Sequence, residues 1–387
     1  MSMRPIVSRL LAACLFATPM LVMADDLGVC SVPIAAEKTA AIDMPDYSVE
    51  TDPDLPDPAQ EQRERAGKAY QRAIVDMLKS SADPRDWAML GAGFYLTDKS
   101  EHERSEIRTF LERAAKTDPA DAQLQWLVLA GTRQLNSPAL ASQIIDRLEA
   151  DEPDNGAVWV EALARAATNH DRAGVSTALE RLAMSSTVNN HFSDTIKLIA
   201  ETYARIPPPD ELIHSPDNVA GESKAYVYSL AIASAFVFPA YQPLTTTCLW
   251  DETGRNAAHA PDCERAGRLM SQQSDTLLTR AIGFAVLRAS HTFNDDDVKN
   301  ARNQDWVSEN FVKLAMSGDA HAAEIEQYHL DWVETGNEVD AMRRRIERMD
   351  IAPTPPDDWI ETNSRFSQQR IEQDTKGAAE RLAHADY

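Results

Sequence analysis

Thr117-Asp118-Pro119 and Asp151-Glu152-Pro153 place two acid–proline steps 153 − 119 = 34 residues apart. A recurrence of that length is the period of a chain built from stacked pairs of antiparallel helices. One such pair cannot bury its apolar face alone. It lies against a neighbour, and a row of pairs makes a long groove rather than a deep pocket. The spacing therefore predicts an all-α chain with helical hairpins before, between and after the two steps.

Before the first step the chain reads Trp87-Ala88-Met89-Leu90-Gly91-Ala92-Gly93-Phe94. Trp87, Leu90 and Phe94 fall on one helical face, and Gly91 lacks the side chain that would hold a partner helix away. Ser100 and Glu103 have capping-box spacing and open a return helix with Ile107, Leu111 and Ala114 inward. Between the steps, Trp126, Leu129 and Ala130 are expected inward. Ser137-Pro138 should start the next helix with a hydroxyl cap and proline at the first helical position. Ala141, Ile145 and Leu148 stand 12, 8 and 5 residues before Pro153. Trp159 follows that proline by six residues, with Ala162, Leu163 and Ala166 on its face. Val175, Leu179 and Leu182 supply the return helix, and Thr187 stands where a third closing proline would fall.

These positions resemble the tetratricopeptide repeat over residues 84–187: Trp, two residues, Leu-Gly, two residues, then Phe94 in the place of Tyr. The resemblance implies an α–α hairpin solenoid that binds a peptide or protein along its concave side. Trp87, Trp126 and Trp159 occupy its packing positions and are expected in the core.

Arg4 and Arg9, the apolar run Leu10 to Met23 and the small residues ending at Ala24 have the form of a secretory signal peptide cleaved after Ala24. The run is too short for a membrane span. Removing it leaves a charge of (38 − 2) − 61 = −25. That surplus repels phosphate backbones, so nucleic acid is not an expected partner. An exported chain forms disulfides readily, and Cys248 and Cys263 flank a turn-rich stretch, so they are expected to bridge. Cys30 has no sequence-adjacent partner.

The organisation expected is a signal peptide at 1–24, a Pro- and acid-rich disordered tether at 25–57, helical repeats at 58–206, a Pro-rich linker at 207–218 and a C-terminal helical region at 219–387. Tyr226 to Phe238 reads as a buried core helix. Leu278, Ile282, Ala285, Val286 and Ala289 form an expected inward stripe on a helix capped by Ser274. Val307, Phe311 and Leu314 form another; Ile325, Tyr328 and Trp332 a third; Val339, Met342, Ile346 and Met349 a fourth. A last helix is expected over Ser364 to His384. No alternating pattern of strand length occurs, and no glycine-rich phosphate loop is present.

Chemistry is sparse. Glu222-Ser223 matches lytic transglycosylases only as a dipeptide, and Glu326-x-x-His329 lacks the second copy a dinuclear metal site needs. Asp295-Asp296-Asp297 lacks the glycine and closing glutamate of a calcium loop and reads as helix capping. Catalytic, cofactor and metal residues are therefore not assigned. The expectation is a periplasmic or secreted interaction scaffold of a Gram-negative envelope, bound to another envelope protein or peptide. The alternative is an envelope hydrolase, lytic-transglycosylase-like or otherwise, whose site is assembled from distant residues.

Overall fold

A computed structural model of the chain describes residues 58–91, 100–206, 209, 233, 238–249, 257–316 and 322–359. The signal-peptide, tether and terminal-helix segments, Phe94, Cys30 and Glu222-Ser223 lie outside the described residues, as do most of the linker and of the Tyr226–Phe238 run. Within them the chain is all-α, with fourteen α-helices and no strand. In chain order these are α1 (Pro58–Ser80), α2 (Pro84–Met89), α3 (Glu101–Thr117), α4 (Ala122–Gln134), α5 (Pro138–Asp151), α6 (Gly156–Thr168) and α7 (Arg172–Met184). There follow α8 (Phe192–Arg205), α9 (Gln242–Cys248), α10 (Ala260–Gln273), α11 (Leu277–Ala289), α12 (Asp295–Met316), α13 (Ala322–Thr335) and α14 (Glu338–Arg348).

Local chemistry sets most of the starts. Asp83, Asp121, Asn155 and Asp171 each accept a backbone N–H of the first turn that follows, and Ser100 with Glu103 forms the complete capping box. Two expected caps differ. Ser137 precedes α5 without capping it; its hydroxyl accepts from Arg108 Nε at 3.0 Å, so α3 has drawn it sideways. Thr276, not Ser274, caps α11 by accepting from Thr279 N. Ser274 instead accepts from Thr276 N one step earlier in the turn.

The helices α2–α3, α4–α5 and α6–α7 pair as hairpins, with α4 against α2 and α3, and α6 against α5. Gly91 and Gly131 meet where the first two hairpins cross: a Cβ added to Gly91 would lie 2.8 Å from the Gly131 Cα. The three tryptophans are buried and structural. The indole N–H groups of Trp87 and Trp159 each donate to the carbonyl six residues upstream, Ser81 and Pro153, at 2.9 and 2.8 Å. Trp126 donates instead to Glu152 at 3.0 Å. Leu90, Gly91, Ile145, Leu148 and Ala162 are buried as expected of packing positions, and Ala141 is half-buried against the same core.

Both α4 and α6 are buried far beyond one stripe, from Leu124 to Thr132 and from Gly156 to Leu163. α4 is enclosed by α2, α3 and α5, and its further neighbour is α8. That helix packs on α4 and on α13, and its ends are tied to the first two hairpins. Arg205 donates two hydrogen bonds to the buried Asp86 of α2, at 2.5 and 2.7 Å. Tyr203 stacks on Tyr70 of α1. α8 thus lies against α4 and is tied to α2 through the Arg205–Asp86 pair.

The packing continues across the 207–218 stretch. In the C-terminal part α10 and α11 form another close hairpin, α10 lies against α7, and α9 bridges α6 and α11. Buried apolar side chains from Ile74 to Ile346 form one cluster. On α11 the buried face differs from the expected stripe: Thr279, Arg280, Gly283, Phe284, Val286 and Leu287 are buried, while Leu278, Ile282, Ala285 and Ala289 are half-buried. Gly283 turns that face toward α10, where the two backbones touch. Val307, Phe311, Tyr328, Trp332, Val339, Met342 and Ile346 are buried. Met349, at the C-cap of α14, is exposed, because the helix has already ended there.

Cys248 at the end of α9 and Cys263 in the first turn of α10 bring their sulfurs to 2.10 Å, with Cα atoms 5.6 Å apart. The pair is thus compatible with a disulfide. A bridge closing so short a loop contributes roughly 3 kcal/mol. Reduction is therefore expected to lower the urea midpoint. The seven-residue α9, too short to persist alone, should lose its protection from hydrogen exchange first.

Candidate functional site

A buried polar junction lies where three turns meet: α7–α8, α10–α11 and α13–α14. Asn190 donates from its backbone and side chain to Asp275 at 3.1 and 3.2 Å, and from its side chain to Thr279 at 3.0 Å. The Tyr241 hydroxyl sits 2.7 Å from the same Thr279 oxygen. The Glu338 carboxylate accepts from Leu277 N at 2.7 Å, and the Glu338 amide donates to Asp275 O at 2.8 Å. Burial pushes the Asp275 carboxyl up to about 6 despite the Asn190 hydrogen bonds. Burial, with the nearby Asp275 charge, pushes Glu338 up to about 7. Burial raises the Tyr241 phenol as well. A low-dielectric site disfavours the charged forms of all three.

Above this junction opens a cleft of about 550 Å³ between α10, α11, α12 and α14. The end of α10 contributes Ser271, Gln272 and Gln273, and α12 contributes Asn300, Asn303 and Gln304. From the α13–α14 turn and α14 come Asn337, Asp340 and Arg343, and from α11 comes Arg280. Every lining side chain is polar, most are amides, and none is aromatic.

The cleft's frame is rigid. Phe284 and Leu287 of α11 pack on Ala301 of α12, with Phe293 against them. Arg268 of α10 pairs with the buried Asp297 in the first turn of α12. Arg280 is held from behind: its Nε donates to Ser274 O at 3.0 Å and its Nη2 to Asn337 Oδ1 at 3.3 Å. Asn337 in turn donates to Ser274 O at 3.2 Å and caps α14 through Val339 N and Asp340 N. Burial lowers the Arg280 pKa below the ordinary guanidinium value. Arg343 pairs with Asp340 at 2.8 Å.

A second tight cluster sits at the start of α8. His191, in left-handed backbone at φ 53°, places Nε2 2.9 Å from Glu152 and Nδ1 3.3 Å from Asp194. Glu152 also accepts from Trp126 Nε1 and from Asn155 Nδ2 at 2.9 Å. Burial opposes both charges, yet the hydrogen bonds prevail: His191 is raised to about 9 and Glu152 is lowered to about 2. This cluster fastens α8 to α4 and α5.

Among the described residues no group of His, Cys, Asp and Glu has the disposition to hold a metal ion. The Asp295–Asp297 run forms the first turn of α12, where Asp297 accepts from Asn294 N. Burial lowers His329 to about 4, and the Glu326 side chain lies outside the description. Cys248 and Cys263 are placed against each other. None of the residues singled out in sequence lines the cleft. A faint signal existed: Asn300, Asn303 and Gln304 share one face of α12, next to the adjacent Gln272-Gln273 of α10. Amides on a helix face read as ordinary solvated surface until a facing element is known.

No family model, curated protein or solved structure matches the chain. Among the described residues no helix is long and apolar enough to cross a membrane.

Proposed function

We propose that the protein is an exported binding protein of the bacterial envelope that takes up a peptide segment, with the cleft between α10, α11, α12 and α14 as its ligand site. The observation that carries this reading is the cleft itself: a concavity of about 550 Å³ whose lining residues are all polar. Its size falls in the ~300–1,000 Å³ range of ligand sites. The signal-peptide pattern and the Cys248–Cys263 pair support export. The tetratricopeptide-like hairpins supply the framework. Their groove is not the proposed ligand site, because α8 lies against α4 and Arg205 of α8 is bound to Asp86 of α2.

The hydrolase alternative asks for a paired acid and base facing a substrate. Of the carboxylates near the cleft only Asp340 lines it, and Arg343 neutralises that one. Asp275 and Glu338 lie beneath the lining and are engaged by Asn190 and Leu277. Binding is therefore preferred over turnover.

The test is site-specific photocrosslinking in intact cells with the photoreactive residue at position 303. A discrete adduct that disappears in Arg343→Glu is the expected result. A uniform smear, or an adduct indifferent to that substitution, would refute a ligand site here.

A further inference from the structure

We infer that the cleft recognises the free carboxylate end of a short peptide, with Arg280 taking the carboxylate and Asn300, Asn303 and Gln304 taking the peptide backbone. This rests on the binding reading above.

The argument starts from charge. The chain carries a net charge of −23, yet this cleft is lined by two guanidinium groups and a single carboxylate. Arg343 is matched by Asp340 at 2.8 Å. Arg280 is not matched in this way. It is only 8% exposed, and both its hydrogen bonds go to neutral acceptors, a carbonyl and an amide oxygen. Among the described residues no carboxylate lies within ion-pairing distance of it; Asp340, Glu338 and Asp275 act on it only from further off. A buried cation without a contact anion is costly to hold. The bonds to Ser274 and Asn337 fix the plane of the guanidinium while leaving donors unused. A planar fork fixed in advance suits bidentate capture of a carboxylate.

The neutral lining narrows the ligand class. Each Asn or Gln side chain offers one acceptor and two donors in a plane, the complement of a peptide bond. Nucleobases and pyranose rings are commonly held by stacking, and no aromatic ring lines this cleft. A polyphosphate would need more than one unmatched cation. The volume admits a few residues of an extended chain, not the face of a folded domain.

The experiment uses the purified chain, immobilised, and two random hexapeptide pools that differ only in ending as free acids or as amides. Retention is read by mass spectrometry. Free acids should be retained about tenfold over amides, the ratio one charge-assisted hydrogen bond supports. Arg280→Gln should abolish the preference. Because Arg280 is buried and its loss can unfold the turn, Asn300→Asp and Asn303→Asp serve as well. They add a negative charge at cleft positions that are exposed or half-exposed, and should cut acid retention about tenfold without changing the far-UV spectrum. Equal retention of the two pools, or Asp variants that retain acids as before, overturns the inference. If that happens while the crosslinked adduct still depends on Arg343, the binding reading survives and only the carboxylate assignment falls. Loss of both results ends both.

Discussion

Gly283→Ala is expected to destabilise the protein by about 2 kcal/mol. A Cβ at position 283 would lie 2.4 Å from Ser271 N, and 2.8 Å from both Gly267 O and Met270 Cβ. Two of those three atoms are backbone, so no rotamer change relieves the clash, and α10 and α11 must separate. Overpacking costs roughly 1–3 kcal/mol and occasionally more, against about 1 kcal/mol gained by replacing glycine within a helix. Gly267→Ala offers the comparison. Its nearest neighbours are the Leu287 side-chain carbons at 2.8 and 2.9 Å, which can yield in part. Urea unfolding should therefore rank Gly283→Ala well below Gly267→Ala. Equal midpoints would mean that α10 and α11 do not cross as described. Because Ser271 and Arg280 lie on these helices, cleft binding should fall together with stability in Gly283→Ala.

The second large effect is Glu152→Gln, expected to cost about 2–3 kcal/mol near pH 6. The carboxylate accepts from His191, Trp126 and Asn155 at once. Breaking one member of a mostly buried pair leaves the other charge poorly compensated. The raised His191 and the lowered Glu152 describe one interaction, and its stabilisation is counted once. The pH dependence follows from the directions. His191 is raised to about 9, so its contribution is complete below the ordinary imidazole value and is lost as pH rises through about 9. Glu152 is lowered to about 2, so its contribution is complete above the ordinary carboxylate value and is lost as pH falls through about 2.

Asp275 and Glu338 act with the opposite sign for carboxylates. Both are raised, to about 6 and about 7, so the fold favours their protonated forms. Their contribution is complete below the ordinary carboxylate range and is lost as pH rises through those values. Stability should therefore peak at about pH 4 and decline toward neutrality. A second decline, between about pH 7 and 9, belongs to His191. Urea titrations from pH 3 to 9 test this. Glu338→Gln should flatten the decline on the acid side of neutrality, and Glu152→Gln the alkaline one. A maximum above pH 7 in the unaltered chain would contradict both assignments.

The hairpins were legible because their signals are local. Asp83, Ser100, Asp121 and Asn155 cap within three residues of themselves, and Trp87 and Trp159 bond six residues upstream. Apolar residues three and four apart marked the inner faces, and the short Cys248–Cys263 spacing marked a pair that the fold brings to bonding distance. The α11 stripe was misread for a non-local reason. Its face is turned by the Gly283 contact with α10, and its most consequential buried residue, Arg280, is one that hydropathy places outside.

The sequence by itself determined the all-α class, most helix starts and the hairpin partners, because these follow from interactions within a turn or two of chain. Only the tertiary structure decided that α8 packs on α4 and binds Asp86 of α2, and that a polar cleft opens between α10, α11, α12 and α14. Those features depend on contacts such as Asp86 with Arg205, 119 residues apart, Asn190 with Asp275, 85 apart, and Leu277 with Glu338, 61 apart. Each is a pairing of polar groups across the fold, which leaves no periodicity along the chain and acquires its energy only when burial removes the competing water.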